Sequence, residues 1–248
     1  MQPTTAAVVK ATGGAGATRT SLELAATLGR AGHAVGVLDV DFATQGLAAH
    51  VPGRIEADLT NVLVEDGSLG DASVDLDLDP LRDAGGRVAV APSRAPFERL
   101  ARAKTPRAAQ TFETVLDDAA AQFDYVLVDA PPVATNPAVS AVTTADRVAA
   151  VTPASQRGVD ALQRLRERLE DVGAAPGLAI ANRADGEHPV QAADAALPTH
   201  EVPEAAVPSA ADPDPAYAPA VAEAAEALFD VELALEFPEE GLIAGRFG

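Results

Sequence analysis

The chain has 248 residues, 18 of them Lys or Arg and 37 Asp or Glu, for a formal net charge of −19. A folded chain of this size exposes roughly 10,000 Å², so one uncompensated negative charge falls on roughly every 500 Å², a coat that repels nucleic-acid phosphates and anionic lipid. With 48% apolar residues the chain can build a core, which excludes a wholly disordered acidic protein, and the absence of cysteine removes disulfides, thiolate metal sites and a cysteine nucleophile.

In chain order, Ala6–Val9 reads as a short apolar strand running into a glycine-rich loop, followed by a helix over Ser21–Arg30 with Leu24 and Leu28 one turn apart. Gly32 stops that helix, and Ala34–Leu38 is a second strand ending at Asp39. A loop rich in Asp and Gly leads to a strand at Arg87–Ala91. A helix over Thr105–Gln122 precedes the clearest buried strand, Tyr125–Asp129. Val148–Thr152 and Leu178–Asn182 are further strands, separated by a charged helix over Val159–Val172. His188–Pro219, rich in Pro, Ala and Asp, reads as an extended surface segment, and Ala220–Leu228 as a closing helix. Short strands alternating with helices imply an α/β fold, a doubly wound and mostly parallel sheet. Strands that are apolar throughout imply helices on both faces. The expected organisation is one domain over residues 1–229 and an acidic tail over 230–248.

Met1–Thr5 has no positive run ahead of an apolar stretch and no window approaches 18 consecutive apolar residues, so neither a signal peptide nor a membrane helix is expected and a cytoplasmic location is. Only Lys10 and Lys104 are lysines; the other sixteen basic residues are arginines. Few lysines, many carboxylates and abundant alanine point to a halophilic, haloarchaeal cytoplasm. An ordinary acidic protein from a GC-rich genome is the alternative; it explains Arg for Lys but not the net charge.

The loop after the first strand reads Ala11-Thr-Gly-Gly-Ala-Gly-Ala-Thr18. A strand, a glycine-rich turn and a helix N-terminus make an anion site, because backbone N–H groups converge there and the helix dipole favours negative charge. This segment resembles the deviant P-loop GKGGxGK[ST] of the MinD/ParA ATPases, with Gly13, Gly14, Gly16 and Thr18 matching. Ala11, Thr12 and Ala17 depart. Thr12 stands at that family's signature lysine and Ala17 at the P-loop lysine itself. A second register, with Arg19-Thr20 as the Lys-Ser/Thr pair, needs Thr18 where a glycine belongs. Arg19, in the first helical turn, offers a bidentate substitute and Lys10 a weaker one.

Further motifs follow in the order of that family. Asp39-Val-Asp41 resembles its Asp-x-Asp switch, and Gln45-Gly46 follows it. Val126-Leu-Val-Asp-Ala-Pro-Pro132 resembles its Walker B strand and second switch, Asn182-Arg183 its adenine-contacting pair, and Leu197-Pro198 the loop closing the other side of the base. The resemblance covers roughly Ala6–Leu228. It implies an ATP/ADP site with Mg²⁺, in which Gly13, Gly14, Ala15, Gly16, Ala17, Thr18 and Arg19 cradle phosphates and Asn182, Arg183 and Pro198 hold the base. It further implies Thr18, Asp39 and Asp129 on the metal side, with Asp41 and Arg19 as catalytic residues. The expected function is spatial organisation in the cell: chromosome partitioning, division-site placement or machinery positioning, with an unidentified protein partner, a possible homodimer and no direct nucleic-acid binding. Without a lysine at 17, hydrolysis is expected to be weak or absent. A nucleotide-free scaffold is the alternative, and an ATP-dependent ligase or kinase of the dethiobiotin synthetase type is less favoured. The basic stretch Arg94–Arg107 is expected to be a solvated helix face or a docking patch, and Glu232, Glu236, Glu239 and Glu240 argue against a basic membrane-binding tail.

Overall fold

The computed structural model describes residues 4–212 and 214–238. Eight strands form one sheet: β1 (Thr5–Lys10), β2 (Ala34–Asp39), β3 (Val74–Asp75), β4 (Arg87–Ala91), β5 (Tyr125–Ala130), β6 (Arg147–Pro153), β7 (Leu178–Asn182) and β8 (Ala195–Leu197). Their order is β3-β4-β2-β5-β1-β6-β7-β8, parallel except for β3 against β4. The helices are α1 (Ala17–Arg30), α2 (Leu59–Val64), α3 (Leu69–Ala72), α4 (Asp79–Asp83), α5 (Phe97–Ala103), α6 (Pro106–Ala120), α7 (Asn136–Thr144), α8 (Gln156–Asp171) and α9 (Ala218–Phe229).

Side chains alternate across the strands, and both faces are apolar. On one face Ala6, Val8, Val37 and Leu127 pack against Leu24 and Leu28 of α1 and Val221, Leu228 and Phe229 of α9. On the other, Ala7, Val9, Leu38 and Val128 pack against Phe112 and Leu116 of α6, Ala141 and Val142 of α7 and Leu162, Leu165 and Leu169 of α8. This is the doubly wound sheet expected from the strand composition. The first crevice beside a reversal of strand order, between β1 and its neighbours, is where such sheets collect ligands at their carboxyl ends.

Several elements differ from the sequence expectation. Helix α1 starts at Ala17, four residues before Ser21, because Gly16 at φ +92° forms its N-cap and the loop feeds straight into the helix. The segment 188–219 is not extended throughout. It contains β8, two single 3₁₀ turns (Glu204–Ala206 and Ser209–Ala211) and the first two residues of α9. Helix α7 went unread because Pro131, Pro132, Thr135 and Pro137 look like loop; Pro137 sits near the helix start, where its missing N–H costs nothing. The acidic tail does not leave the domain at once. Leu233 N donates to Glu226 Oε1 at 2.7 Å, Arg30 Nη2 donates to Glu236 O at 3.1 Å, and the Arg30 guanidinium lies 5.3 Å from the Phe237 ring. Met1 and the tail glutamates Glu239 and Glu240 lie outside the described residues. No described helix is long and apolar enough to cross a membrane.

Candidate functional site

The register of the sheet places the site. Val8 is paired with Asp129, and Asp129 with Asp39, so the two carboxylates project on one face, the face covered by α1. Lys10 lies two residues beyond Val8 and projects the same way. The glycine-rich loop 11–16 turns from β1 onto that face and becomes α1, setting Thr18 one turn above the strand ends.

Thr18 Oγ1 donates to Asp129 Oδ2 at 2.5 Å. Asp129 Oδ1 is buried and has no hydrogen-bond partner. Burial pushes the Asp129 carboxyl up to about 7. The Thr18 hydrogen bond opposes that rise, the charge of Asp41 adds to it, and Lys10 again opposes it. Asp39 is completely buried. Its Oδ1 accepts from Asp41 N at 2.9 Å and its Oδ2 from Ser93 N at 3.4 Å, while its own carbonyl takes the Ser93 hydroxyl at 2.6 Å. Desolvation, then the charges of Asp129 and Asp41, hold the Asp39 carboxyl well above the usual carboxylate range against those two backbone hydrogen bonds. Asp41 forms an ion pair with Lys10 and accepts from the Thr44 hydroxyl, and Lys10 Nζ also donates to Thr44 Oγ1 at 3.2 Å.

The other end of the loop faces β7. A cavity of about 370 Å³ opens there, lined by Gly16, Arg19, Asn182, Arg183, Pro198 and Tyr217 among others. Asn182 Nδ2 donates to Ala15 O at 2.8 Å and its Oδ1 accepts from Arg183 N at 3.0 Å, so the amide is fixed at both ends. Arg183, at φ +58°, reaches Gly14 O through Nη1 at 3.2 Å. Thr199 donates through N and Oγ1 to Asp185, tying the loop after Pro198 to the loop after Arg183. Arg19 turns into this cavity: Nε donates to buried Glu23 at 3.2 Å, Nη1 to His200 O at 2.7 Å, and the guanidinium lies 5.6 Å from the Tyr217 ring. The His200 ring stacks on Tyr217 with centroids 4.6 Å apart and planes 10° from parallel.

The sequence-derived site residues are therefore split between the loop's two ends. Thr18, Asp39, Asp41 and Asp129 gather where β2 and β5 end, and Asn182, Arg183, Pro198 and Arg19 gather where β7 ends. Gly13, Gly14, Ala15 and Gly16 span the interval. Ala17, the first residue of α1, turns its side chain into the core. Sequence reasoning missed the pairing of Lys10 with Asp41 and Thr44, the cap that Ser93 provides, and the His200–Tyr217 stack. The first had a legible signal, since Ala6, Val8 and Lys10 fall on one face of an alternating strand; Ser93 and Tyr217 had none. Among the described residues, no group of three or more His, Asp or Glu side chains is arranged to hold a metal unaided. Within the basic stretch, Arg99 pairs with Asp58 at 3.0 Å and Glu65 at 3.2 Å, and Arg102 with Glu65 at 2.5 Å.

The chain is similar to known proteins in sequence and in fold. The family model AAA_31, described as an AAA domain, matches residues 4–179. No curated protein matches the chain by sequence. The septum site-determining protein MinD of Pyrococcus horikoshii OT3, complexed with Mg-ADP, superposes with a TM-score of 0.65 at 23% identity, covering 79% of this chain and 81% of that one. A ParA family ATPase from Chlorobium tepidum TLS gives 0.62 at 20% identity, over 80% of this chain and 86% of that one. Cobyrinic acid a,c-diamide synthase of Mycobacterium smegmatis, with bound ADP and magnesium, gives 0.58 at 21% identity, over 74% and 76%. The chain belongs to the AAA_31 family of AAA domains and has the P-loop fold of the MinD/ParA ATPases.

Proposed function

We propose that the protein is a MinD/ParA-like adenine-nucleotide-binding protein of spatial organisation, with slow or absent ATP hydrolysis. Asp129 carries this reading. A buried carboxyl oxygen without a partner, beside the hydroxyl of the first helical turn after a glycine-rich loop, is what a hydrated Mg²⁺ on a nucleotide phosphate requires. The likeness to MinD with Mg-ADP and to a ParA family ATPase supports the same class.

In this reading the nucleoside sits in the β7-side cavity between Asn182 and Pro198, and the phosphates run along Gly13–Thr18 toward the carboxylates. Thr18 and Asp129 hold the metal, with Asp39 behind them as a charge on the metal side, and Asp41 orients the attacking water. The metal supplies positive charge against the terminal phosphates. Ala17, standing where the family has lysine, removes a hydrogen bond to a charged partner. Such a bond is worth roughly 1.5–3 kcal/mol, about 10- to 150-fold in affinity. Hydrolysis suffers more, because phosphoryl transfer depends almost wholly on positioning and electrostatics. Arg19, expected to stabilise the transferring phosphoryl, must first leave Glu23, His200 and Tyr217, a second reason for slow turnover. The dense negative charge favours a protein partner, or a second copy of the chain, over nucleic acid, and suits a halophilic cytoplasm.

Calorimetry with ATP and Mg²⁺ in molar KCl tests this. Binding weakened relative to intact relatives is expected, with little or no phosphate release; turnover at the rate of intact relatives refutes it. A nucleotide-free scaffold is favoured by one observation, that Asp41 finds its countercharge within the chain, in Lys10. That reading expects no thermal shift with ATP and Mg²⁺ and full tolerance of Asp129→Ala.

A further inference from the structure

The geometry points to Lys10 as the cation that meets the terminal phosphate of the nucleotide, in place of the missing side chain at position 17. This inference rests on the nucleotide reading of the cleft. Among the described residues, three cationic side chains, Arg19, Arg183 and Lys10, approach the loop, and one of them, Lys10, approaches its phosphate end. Arg183 meets Gly14 O from the β7 side, and Arg19 is held in the same cavity by Glu23 and His200. Lys10 ends β1, directly before the loop, and projects on the α1 face with Asp39 and Asp129. Its ammonium sits with Asp41 and Thr44, largely shielded from solvent, at the end of the loop opposite the cavity. A nucleoside bound in that cavity directs its phosphates along the loop toward Lys10.

The ion pair is what makes Lys10 a sensor rather than a fixed anchor. One ammonium pairs with Asp41 in a corner that also holds Asp39 and Asp129. A terminal phosphate brings more negative charge than Asp41 carries, and in a water-poor cleft the ammonium follows the stronger partner. Asp41 then loses its cation and keeps the Thr44 hydroxyl and, at 3.4 Å, the Thr44 N–H. The same exchange that binds the terminal phosphate thus frees the carboxylate placed to orient water, and loosens the loop from Asp41 to Gln45. A nucleotide lacking the terminal phosphates leaves Lys10 on Asp41 and the loop unchanged. Lys10 accordingly acts as a specificity-determining residue for triphosphate over monophosphate.

The test is calorimetric binding of AMPPNP and AMP, each with Mg²⁺, in molar KCl. The wild-type chain is expected to bind AMPPNP 10- to 100-fold more tightly than AMP. Lys10→Met should reduce that ratio to threefold or less while leaving AMP affinity unchanged, and Lys10→Arg should restore most of it. Asp41→Asn approaches the question without removing the lysine. By releasing the competing charge it should tighten AMPPNP several-fold and leave AMP alone. A ratio that survives in Lys10→Met, or AMPPNP affinity unmoved by Asp41→Asn, overturns the inference while nucleotide binding itself stands. Failure of the wild-type chain to bind either nucleotide overturns both the inference and the reading beneath it.

Discussion

The two ends of the glycine-rich loop are made of opposite materials. At the β7 end, Asn182 spends both halves of its amide on the backbone, Arg19 and Arg183 bring positive charge, and aromatic rings stack in the wall. At the β2/β5 end, three buried acidic side chains stand together, one of them paired with Lys10, and a carboxyl oxygen of Asp129 has no partner. The polar groups of the first end bond to one another and contribute to holding the fold. The second concentrates acidic groups that one ammonium offsets only in part, and the proposed function puts a cation and a phosphate there. Stability and ligand dependence should therefore separate along the loop.

Gly16→Ala is expected to have the largest effect. Gly16 sits at φ +92°, and a Cβ there would run into the Asn182 amide, so the substitution meets backbone strain and a clash together. Loss of about 2–4 kcal/mol in urea unfolding is expected, with the cavity beside β7 deformed as well. A loss below about 1 kcal/mol would show that the cavity end is not structural, and the comparison would collapse.

Asp129→Asn should act in the other direction. In the folded chain Asp129 titrates near 7, raised chiefly by burial, against an ordinary carboxylate value near 4 in the unfolded chain. Between those values the native state holds a proton that the unfolded state has released, so stability falls as pH rises from about 4 to about 7 and the cost stays in full above that. The amide removes the charge. Asp129→Asn should therefore be more stable at pH 8 in metal-free buffer by roughly 1–3 kcal/mol, with a flatter stability profile from pH 5 to 8. Magnesium-dependent nucleotide binding should vanish at the same time. If the variant is instead less stable at pH 8, the acidic end is not where the strain lies.

How much of this was legible follows from the range of the interactions involved. Arg87–Ala91 and Leu178–Asn182 occur as strands with the bounds read from the sequence, because a run of buried β-branched and small residues between polar neighbours is a local signal. Strand β8 was hidden, since three residues between Asp194 and Pro198 carry no period, and it exists because β7 offers an open edge. Site residues supplied by motifs were legible as letters, but not their division between two ends, which is set by strand order. Lys10 and Asp41 are 31 positions apart, and their pairing needs β2, β5 and β1 side by side. Glu23 in the middle of α1 looks like a solvated helix position. It is buried because Ser209 and Ala210, nearly the length of the chain away, donate to it.

Ala17→Lys probes the phosphate end by addition. A lysine there is expected to tighten AMPPNP about tenfold, one charged hydrogen bond at the low end of its range, and to leave AMP unaffected. A rise in phosphate release with Asp41 intact would indicate that turnover lacks a cation and little else. Since Ala17 is buried at the start of α1, the stability of the variant should be measured in parallel; unchanged AMPPNP affinity in a folded variant breaks the assignment of this end to phosphate.

The smallest effect is expected at Arg183, and it sharpens the comparison most finely. Arg183 is an exposed side chain at φ +58°, a conformation glycine adopts without strain. Arg183→Gly relieves that backbone, loses one hydrogen bond to Gly14 O, and adds chain entropy to the unfolded state. These contributions oppose one another, so stability should move by less than about 1 kcal/mol. Binding should not be neutral, because the guanidinium closes one side of the cavity. AMP and AMPPNP should weaken together, by about threefold, since the lost contact lies on the nucleoside side and is common to both ligands. A selective loss for AMPPNP would place Arg183 with the phosphates, and the division of the loop into a nucleoside end and a phosphate end would have to be redrawn around it.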